Sequence, residues 1–275
     1  SAASDVYKRQ RLNRMLHTVT ALGALAGTTA LAATGVSLDV SRVELAVQPG
    51  QSLNHSVTVR NPGKAGEAVM AIGTYTSDFV LPVTGEAQYV SGGSLKSSVG
   101  RWLQVSPGTF RLGAGESQQV RYTISVPAGT APGLYWSVLF FKSDAPDAAK
   151  PAPSSNSVTM NYNVDVGQII YVQVGQPRFD AKLTAVQAAY RGGTLNVSAT
   201  VKNTGTALVR AAGRAVVVNA GGQPVATIDL GESVALPGYT RAFTGAGTPT
   251  LPAGQYQVLF ALKYGQGTVS YTHLT

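Results

Sequence analysis

One stretch of this chain occurs twice, and it limits the possible folds more than any other feature. The first copy is Pro127-Ala128-Gly129-Thr130-Ala131-Pro132-Gly133-Leu134-Tyr135-Trp136-Ser137-Val138-Leu139-Phe140-Phe141, a tight turn that feeds a tyrosine and then an apolar run. The second is Leu251-Pro252-Ala253-Gly254-Gln255-Tyr256-Gln257-Val258-Leu259-Phe260, where the same Pro-Ala-Gly turn delivers Tyr256 to a Val-Leu-Phe run. Pro and Gly set the turn, and the apolar run that follows has the length and composition of a buried strand. A turn, a tyrosine and a strand used twice in this order predict two domains of one design.

The chain has 275 residues, 44% of them hydrophobic, which is enough for two ordinary domains that each bury a core. Gly 31, Pro 14 and only 12% charged residues favour short strands joined by turns over amphipathic helices. A tyrosine at the head of a late strand is the corner position of immunoglobulin-like sandwiches, where its hydroxyl bonds to backbone a few residues upstream. The expected fold is therefore all-β, two tandem immunoglobulin-like β-sandwich domains, at 36–175 and 178–271, with Gln176-Pro177 as the hinge.

Other units repeat in the same order. Val36-Ser37-Leu38-Asp39-Val40-Ser41-Arg42-Val43-Glu44-Leu45 alternates as an edge strand, and Gln48-Pro49-Gly50-Gln51 turns it. A strand stops at Asn61-Pro62-Gly63 in the first half and at Asn203-Thr204-Gly205 in the second. Each half then has a leucine-led glycine turn before a polar strand, Leu112-Gly113-Ala114-Gly115 and Leu236-Pro237-Gly238-Tyr239. The first half is longer, most simply by an insertion between Thr76 and Gly100 that has room for an extra hairpin. Gly113-Ala114-Gly115 and Gly245-Ala246-Gly247 read as turns, and Gly167 as a bulge in its strand.

The net charge of +8 suggests nucleic acid until it is located. Lys8, Arg9, Arg11 and Arg14 stand together at the amino end with only Asp5 among them, and the other basic residues are scattered, so no nucleic-acid partner is expected. Those residues precede an apolar run from Met15 to Gly27, which ends at Ala30-Leu31-Ala32 with a small-residue cleavage pattern. Residues 1–33 thus read as a secretory signal peptide, leaving no stable membrane anchor after cleavage. The residues before Met15 and the tail after Ser270 are set aside from the fold reading. The expected location is the periplasm or cell envelope.

Enzyme chemistry has little to work with. Cys is 0, which excludes thiol catalysis, cysteine metal sites and a core disulfide. Apart from His17 and His273 in the terminal segments, His55 stands alone, too little for a Ser-His-Asp arrangement. The chain is expected to be no enzyme and to use no cofactor or metal. Trp102, Trp136, Tyr135, Phe140 and Phe141 read either as core or as an aromatic platform for carbohydrate or peptide.

The sharper candidate follows a Pro/Ala/Ser-rich run at 143–156. Val158, Met160, Tyr162, Val164 and Val166 alternate strictly with small or polar residues. One reading is a half-buried strand with one wet face. The other is strand donation, in which an edge strand lends alternating side chains to a partner's groove while its backbone supplies hydrogen bonds.

On these residues the chain resembles the periplasmic pilus chaperones of the chaperone/usher pathway. Three features carry the likeness: the opening strand Val36-Ser37-Leu38-Asp39-Val40-Ser41-Arg42, the Pro/Ser-rich loop and the alternating strand after it. The resemblance implies two immunoglobulin-like domains set at an angle, a secreted or surface protein subunit as partner, and Arg42 as an anchor for the subunit's carboxyl terminus. The family's second anchor is a lysine, and Gly167-Gln168-Ile169-Ile170-Tyr171 has no basic residue there. The Leu112 to Ser117 turn and the Pro127 to Tyr135 strand also resemble tandem immunoglobulin-like bacterial surface proteins, including two-domain partners of WxL-type cell-wall proteins. That implies the alternative, a structural or adhesive envelope protein that contacts cell wall or another surface protein.

Overall fold

The computed structural model describes residues 35–65, 69–144, 164–265 and 267–274, within one compact unit, Ala33–Thr275. All regular structure among them is strand. In chain order the first sandwich has β1 (Ser37–Leu38), β2 (Arg42–Val47), β3 (Ser52–Arg60), β4 (Met70–Val80), β5 (Gln88–Ser91), β6 (Leu103–Ser106), β7 (Thr109–Leu112), β8 (Ser117–Ser125), β9 (Gly133–Asp144) and β10 (Asp165–Val174). One sheet has the order β1-β3-β8-β6. The other runs β2-β10-β9-β4-β5, with β7 also on β4. Between them lies a core that includes Val57, Val59, Val120, Tyr122, Ile124, Ile72, Leu139, Phe141, Ile170 and Val172.

The second sandwich has β11 (Ala181–Arg191), β12 (Thr194–Asn203), β13 (Val209–Asn219), β14 (Pro224–Ala235), β15 (Thr240–Gly247), β16 (Tyr256–Tyr264) and β17 (Gly267–Leu274). Its sheets are β11-β12-β15 and β14-β13-β16-β17, and they enclose Leu195, Val197, Val201, Phe243, Val217, Phe260 and Leu262. The chain is thus all-β, with two tandem immunoglobulin-like sandwiches. β17 reaches Leu274, opposite Gln257, so the ladder takes in backbone past Ser270 that the sequence reading set aside.

Both duplicated tyrosines are corners. Tyr135 Oη donates to the Ala131 carbonyl at 3.0 Å and Tyr256 Oη to the Pro252 carbonyl at 2.8 Å, each four residues upstream. The two Asn-x-Gly stops are also one device. Asn61 and Asn203 are buried; their amides donate to the carbonyls of Leu112 and Ala235, and their Oδ1 atoms accept from Gly63 and Gly205. The amide N–H groups of Gly115 and Gly238 donate to the two asparagine carbonyls, and both glycines have positive φ, so each strand end is fastened to the glycine turn that begins at Leu112 or Leu236.

Three local expectations are corrected. The opening segment is two strands on opposite sheets, because the chain crosses over at 39–41. There Asp39 Oδ1 accepts from the Thr58 amide, and β2 goes on to pair parallel with β10. Gly245-Ala246-Gly247 lies inside β15, paired with β12; glycine is needed because a Cβ at Gly245 would stand 2.2 Å from the Asp229 carbonyl oxygen on β14. Gly167 makes no bulge, and β10 keeps register with β9 from Asp165 to Val174. A Cβ there would meet Val138 at 2.5 Å and the Phe140 ring at 2.8 Å. The 76–100 insertion does hold a hairpin, β4 with β5.

Candidate functional site

The inward side chains of β10 are those of the even-numbered residues. Gln168, Ile170, Val172 and Val174 are 0% exposed, Val166 is half-buried against the same core, and Val164 is 45% exposed. The apolar stripe therefore runs out of its own sandwich toward the amino end of the strand. Val158, Met160 and Tyr162 lie outside the described residues. On the backbone, β2 pairs with β10 only from Ile169 onward, where the Ile169 amide donates to Ser41. Strand alternation points the amide and carbonyl of Gly167 to that same edge, and no strand pairs with it there among the described residues.

Three polar bonds fix the strand's start. Tyr75 Oη, from β4, donates to Asp165 Oδ2 at 2.7 Å. Burial, helped by the Asp165 carboxylate, pushes the Tyr75 hydroxyl up to about 12. Gln168 is buried yet satisfied: its Oε1 accepts from Tyr122 Oη at 2.9 Å, and its Nε2 donates to the Val40 carbonyl. Burial raises the Tyr122 hydroxyl as well.

Arg42 opens β2, opposite Ile169, with its guanidinium half exposed and Glu44 at 3.5 Å. Glu44 also holds Arg210 of the second sandwich, which in turn lies 3.4 Å from Glu232. Arg42 lines a cavity of about 230 Å³ between the sandwiches. Its walls are Phe79, Leu81, Val138, Ile169, Tyr171 and Val234, and its second cation is Arg241 of β15. Sequence reasoning missed Arg241, which reads as a wet residue in a polar strand. The only signal was Gly85: a Cβ there would stand 1.4 Å from Arg241 Nη1, so the glycine makes room for the guanidinium. Burial pushes the Tyr171 hydroxyl up to about 12 against the pull of Arg42 and Arg210.

The cavity's apolar wall belongs to a cluster shared by both sandwiches: Phe79, Leu134, Trp136, Val138 and Tyr171 with Leu236. Trp136 Nε1 donates to the Phe79 carbonyl, and its ring meets Tyr239 edge-on at 6.3 Å. Backbone bonds run from Leu134 N to Thr206 O and from Ala242 N to Val83 O. The aromatic platform does not form: Trp136 is 2% exposed, Phe141 is buried, and Trp102 is half-buried against Tyr135. Phe140 instead stacks on Tyr75 on the outer face.

The densest buried polar cluster is structural. Asp78 is fully buried, Ser98 Oγ and Ser137 Oγ donate to its Oδ1 at 2.6 and 2.7 Å, and the Leu95 amide donates to its Oδ2. Ser137 Oγ accepts from the amides of Val99 and Gly100, so the cluster pins the inserted loop onto β9. His55 stacks on Tyr122 away from these hydroxyls. Among the described residues no group of three or more His, Cys, Asp or Glu side chains could hold a metal, and no helix is long and apolar enough to cross a membrane.

No family model matches the chain, and no curated protein matches it. Solved structures do. A chain from a chaperone–tip adhesin complex of CFA/I fimbriae biogenesis is matched over 87% of this chain and 98% of its own, at 14% identity and a TM-score of 0.49. The class 5 fimbriae chaperone CfaA is matched over 87% and 98%, at 13% identity and a TM-score of 0.45. The E. coli chaperone DraB is matched over 87% and 96%, at 18% identity and a TM-score of 0.41.

Proposed function

We propose that the chain is an exported, non-enzymatic, chaperone-like protein of the periplasm or cell envelope, which holds a surface or pilus subunit by strand complementation. Val158, Met160, Tyr162, Val164 and Val166 form the donated face, Arg42 anchors a carboxylate, and the folding units are 36–175 and 178–271. One observation carries this reading, the burial gradient along β10. The stripe that fills the sandwich's own core at Gln168 to Val174 is half out at Val166 and exposed at Val164. The sequence continues the same alternation through Tyr162, Met160 and Val158. An apolar stripe with an open backbone edge beside it is what a partner lacking one strand would bind.

The alternative is a structural or adhesive envelope protein, for which the same strand is ordinary sheet; the packing of Val166 on the first core favours it. A pull-down from envelope extract separates the two, using residues 34–274 and a variant with serine at Met160, Tyr162 and Val164. Near-stoichiometric capture of one small secreted subunit, lost in the variant, is the expected result. If both baits bring down the same cell-wall material or nothing, the structural reading replaces this one.

A further inference from the structure

The two sandwiches close their corner ends differently. Both corner tyrosines head a strand that faces its own core, so Tyr256 corresponds to Tyr135, and Val258, two residues on, corresponds to Ser137. In the first sandwich the inserted segment and the tryptophan just after it plug that end. The amides of Val99 and Gly100 donate to Ser137 Oγ, Val99 is fully buried, and the Trp102 ring lies 4.6 Å from the Tyr135 ring, centre to centre. In the second sandwich the corresponding residues line an open cavity of about 420 Å³, between the β11–β12 hairpin and the turn before β16. Leu195, Val217 and Val258, all buried, form its floor, and Tyr190, Leu251 and Tyr256 form its walls.

Size and lining restrict what can enter. About 420 Å³ lies within the roughly 300–1,000 Å³ of small-molecule sites. Among the described residues no charged side chain lines the cavity. Its two hydroxyls already have partners: Tyr190 Oη donates to the Pro249 carbonyl at 3.0 Å and Tyr256 Oη to the Pro252 carbonyl at 2.8 Å. Proline carries no amide N–H, so this rim offers a peptide backbone little to bind. A charge would be buried there with nothing to offset it, whereas a flat ring finds two tyrosine rings to pack against.

We propose that this cavity is a binding site for a small, uncharged aromatic molecule about the size of an indole, the group that Trp102 supplies at the same end of the first sandwich. Its ring rests on Leu195, Val217 and Val258, with Tyr190 and Tyr256 at its sides. The site goes beyond the chaperone reading and does not depend on it, since among the described residues none of β2 or β10 lines the cavity.

The test is calorimetric and ligand-observed NMR titration of residues 34–274 with indole, indole-3-carboxylate and N-acetyl-tryptophanamide. Indole is expected to bind at least about tenfold more tightly than the carboxylate. Val258→Phe turns a ring into the cavity as a built-in plug, and should weaken indole binding at least about tenfold without lowering the urea midpoint. Ala253→Trp covers the same cavity from its exposed rim and should weaken indole likewise; it decides the matter if the core variant does not fold. The proposal is overturned if indole shows no saturable binding, if indole and its carboxylate bind equally, or if indole affinity is unchanged in the folded plug variant. Tighter binding of N-acetyl-tryptophanamide than of indole overturns it too, because the flanking peptide groups would then be what the protein recognises.

Discussion

Replacing Asp78 by alanine should cost the first sandwich about 3 kcal/mol. The carboxylate is fully buried and accepts from Ser98 Oγ, Ser137 Oγ and the Leu95 amide. Hydrogen bonds to a charged group contribute about 1.5–3 kcal/mol each, so the three together hold roughly 5–9 kcal/mol. Against this, the native fold carries the carboxylate's desolvation, several kcal/mol that alanine relieves. Ser137 Oγ can also turn to the Trp136 carbonyl, 2.7 Å away, which leaves the Leu95 amide and Ser98 as the principal losers. The net is about 3 kcal/mol, or roughly 6–12 °C in Tm at 2–4 °C per kcal/mol for a chain of this size. Urea unfolding followed by far-ultraviolet circular dichroism measures it. Asp78→Asn keeps one acceptor but turns an amide toward a donor, so it should fall between the two. A Asp78→Ala protein within about 1 kcal/mol of native would refute the idea that this cluster fastens the inserted loop.

Two further outcomes follow from the geometry. Gly245→Ala should destabilise the second sandwich by about 1–3 kcal/mol, the usual cost of overpacking, because its methyl meets the backbone of β14 and no flexible side chain can yield; an unchanged urea midpoint would show that β14 and β15 part freely. Ultraviolet titration should find a component of midpoint about 12 to which Tyr75 and Tyr171 both contribute; Tyr75→Phe should reduce its amplitude by one tyrosine, and Asp165→Asn should move one tyrosine to a lower midpoint. The folded pKa of Tyr75 is raised, so its contribution to stability is complete below about 10, the unfolded value, and is lost as pH climbs through about 12. A lost component with a midpoint near 10 would contradict the bond to Asp165.

Much of this architecture is legible in the sequence, because its markers are local. A tyrosine corner needs its turn and its tyrosine within four residues, and Tyr135 and Tyr256 have both. The asparagine clamps are legible for the same reason: Asn-x-Gly and the glycine turns after Leu112 and Leu236 each mark a turn, although the bond joining them spans 51 residues in one case and 32 in the other. The strand switch at 39–41 was not legible, since the apolar alternation is equally good on either sheet and only the Asp39–Thr58 contact separates the halves. Gly245-Ala246-Gly247 misled because composition cannot distinguish a glycine that bends the chain from one that admits a neighbour. Arg241 and Asp78 were missed for a third reason. Each is one charged residue in a strand, and its meaning lies in partners that only the tertiary fold supplies.

The parallel ladder of β2 and β10 has a mechanical consequence. Arg42 to Val47 runs beside Ile169 to Val174 in the same direction. Tension applied between the amino end of β2 and the carboxyl end of β10 pulls the strands along their length in opposite senses, so the ladder's bonds share the load and must break nearly together. An antiparallel hairpin pulled from its two open ends loses one bond pair at a time. A first sandwich stretched between residue 35 and Gly175 should therefore resist as a shear patch and then yield abruptly.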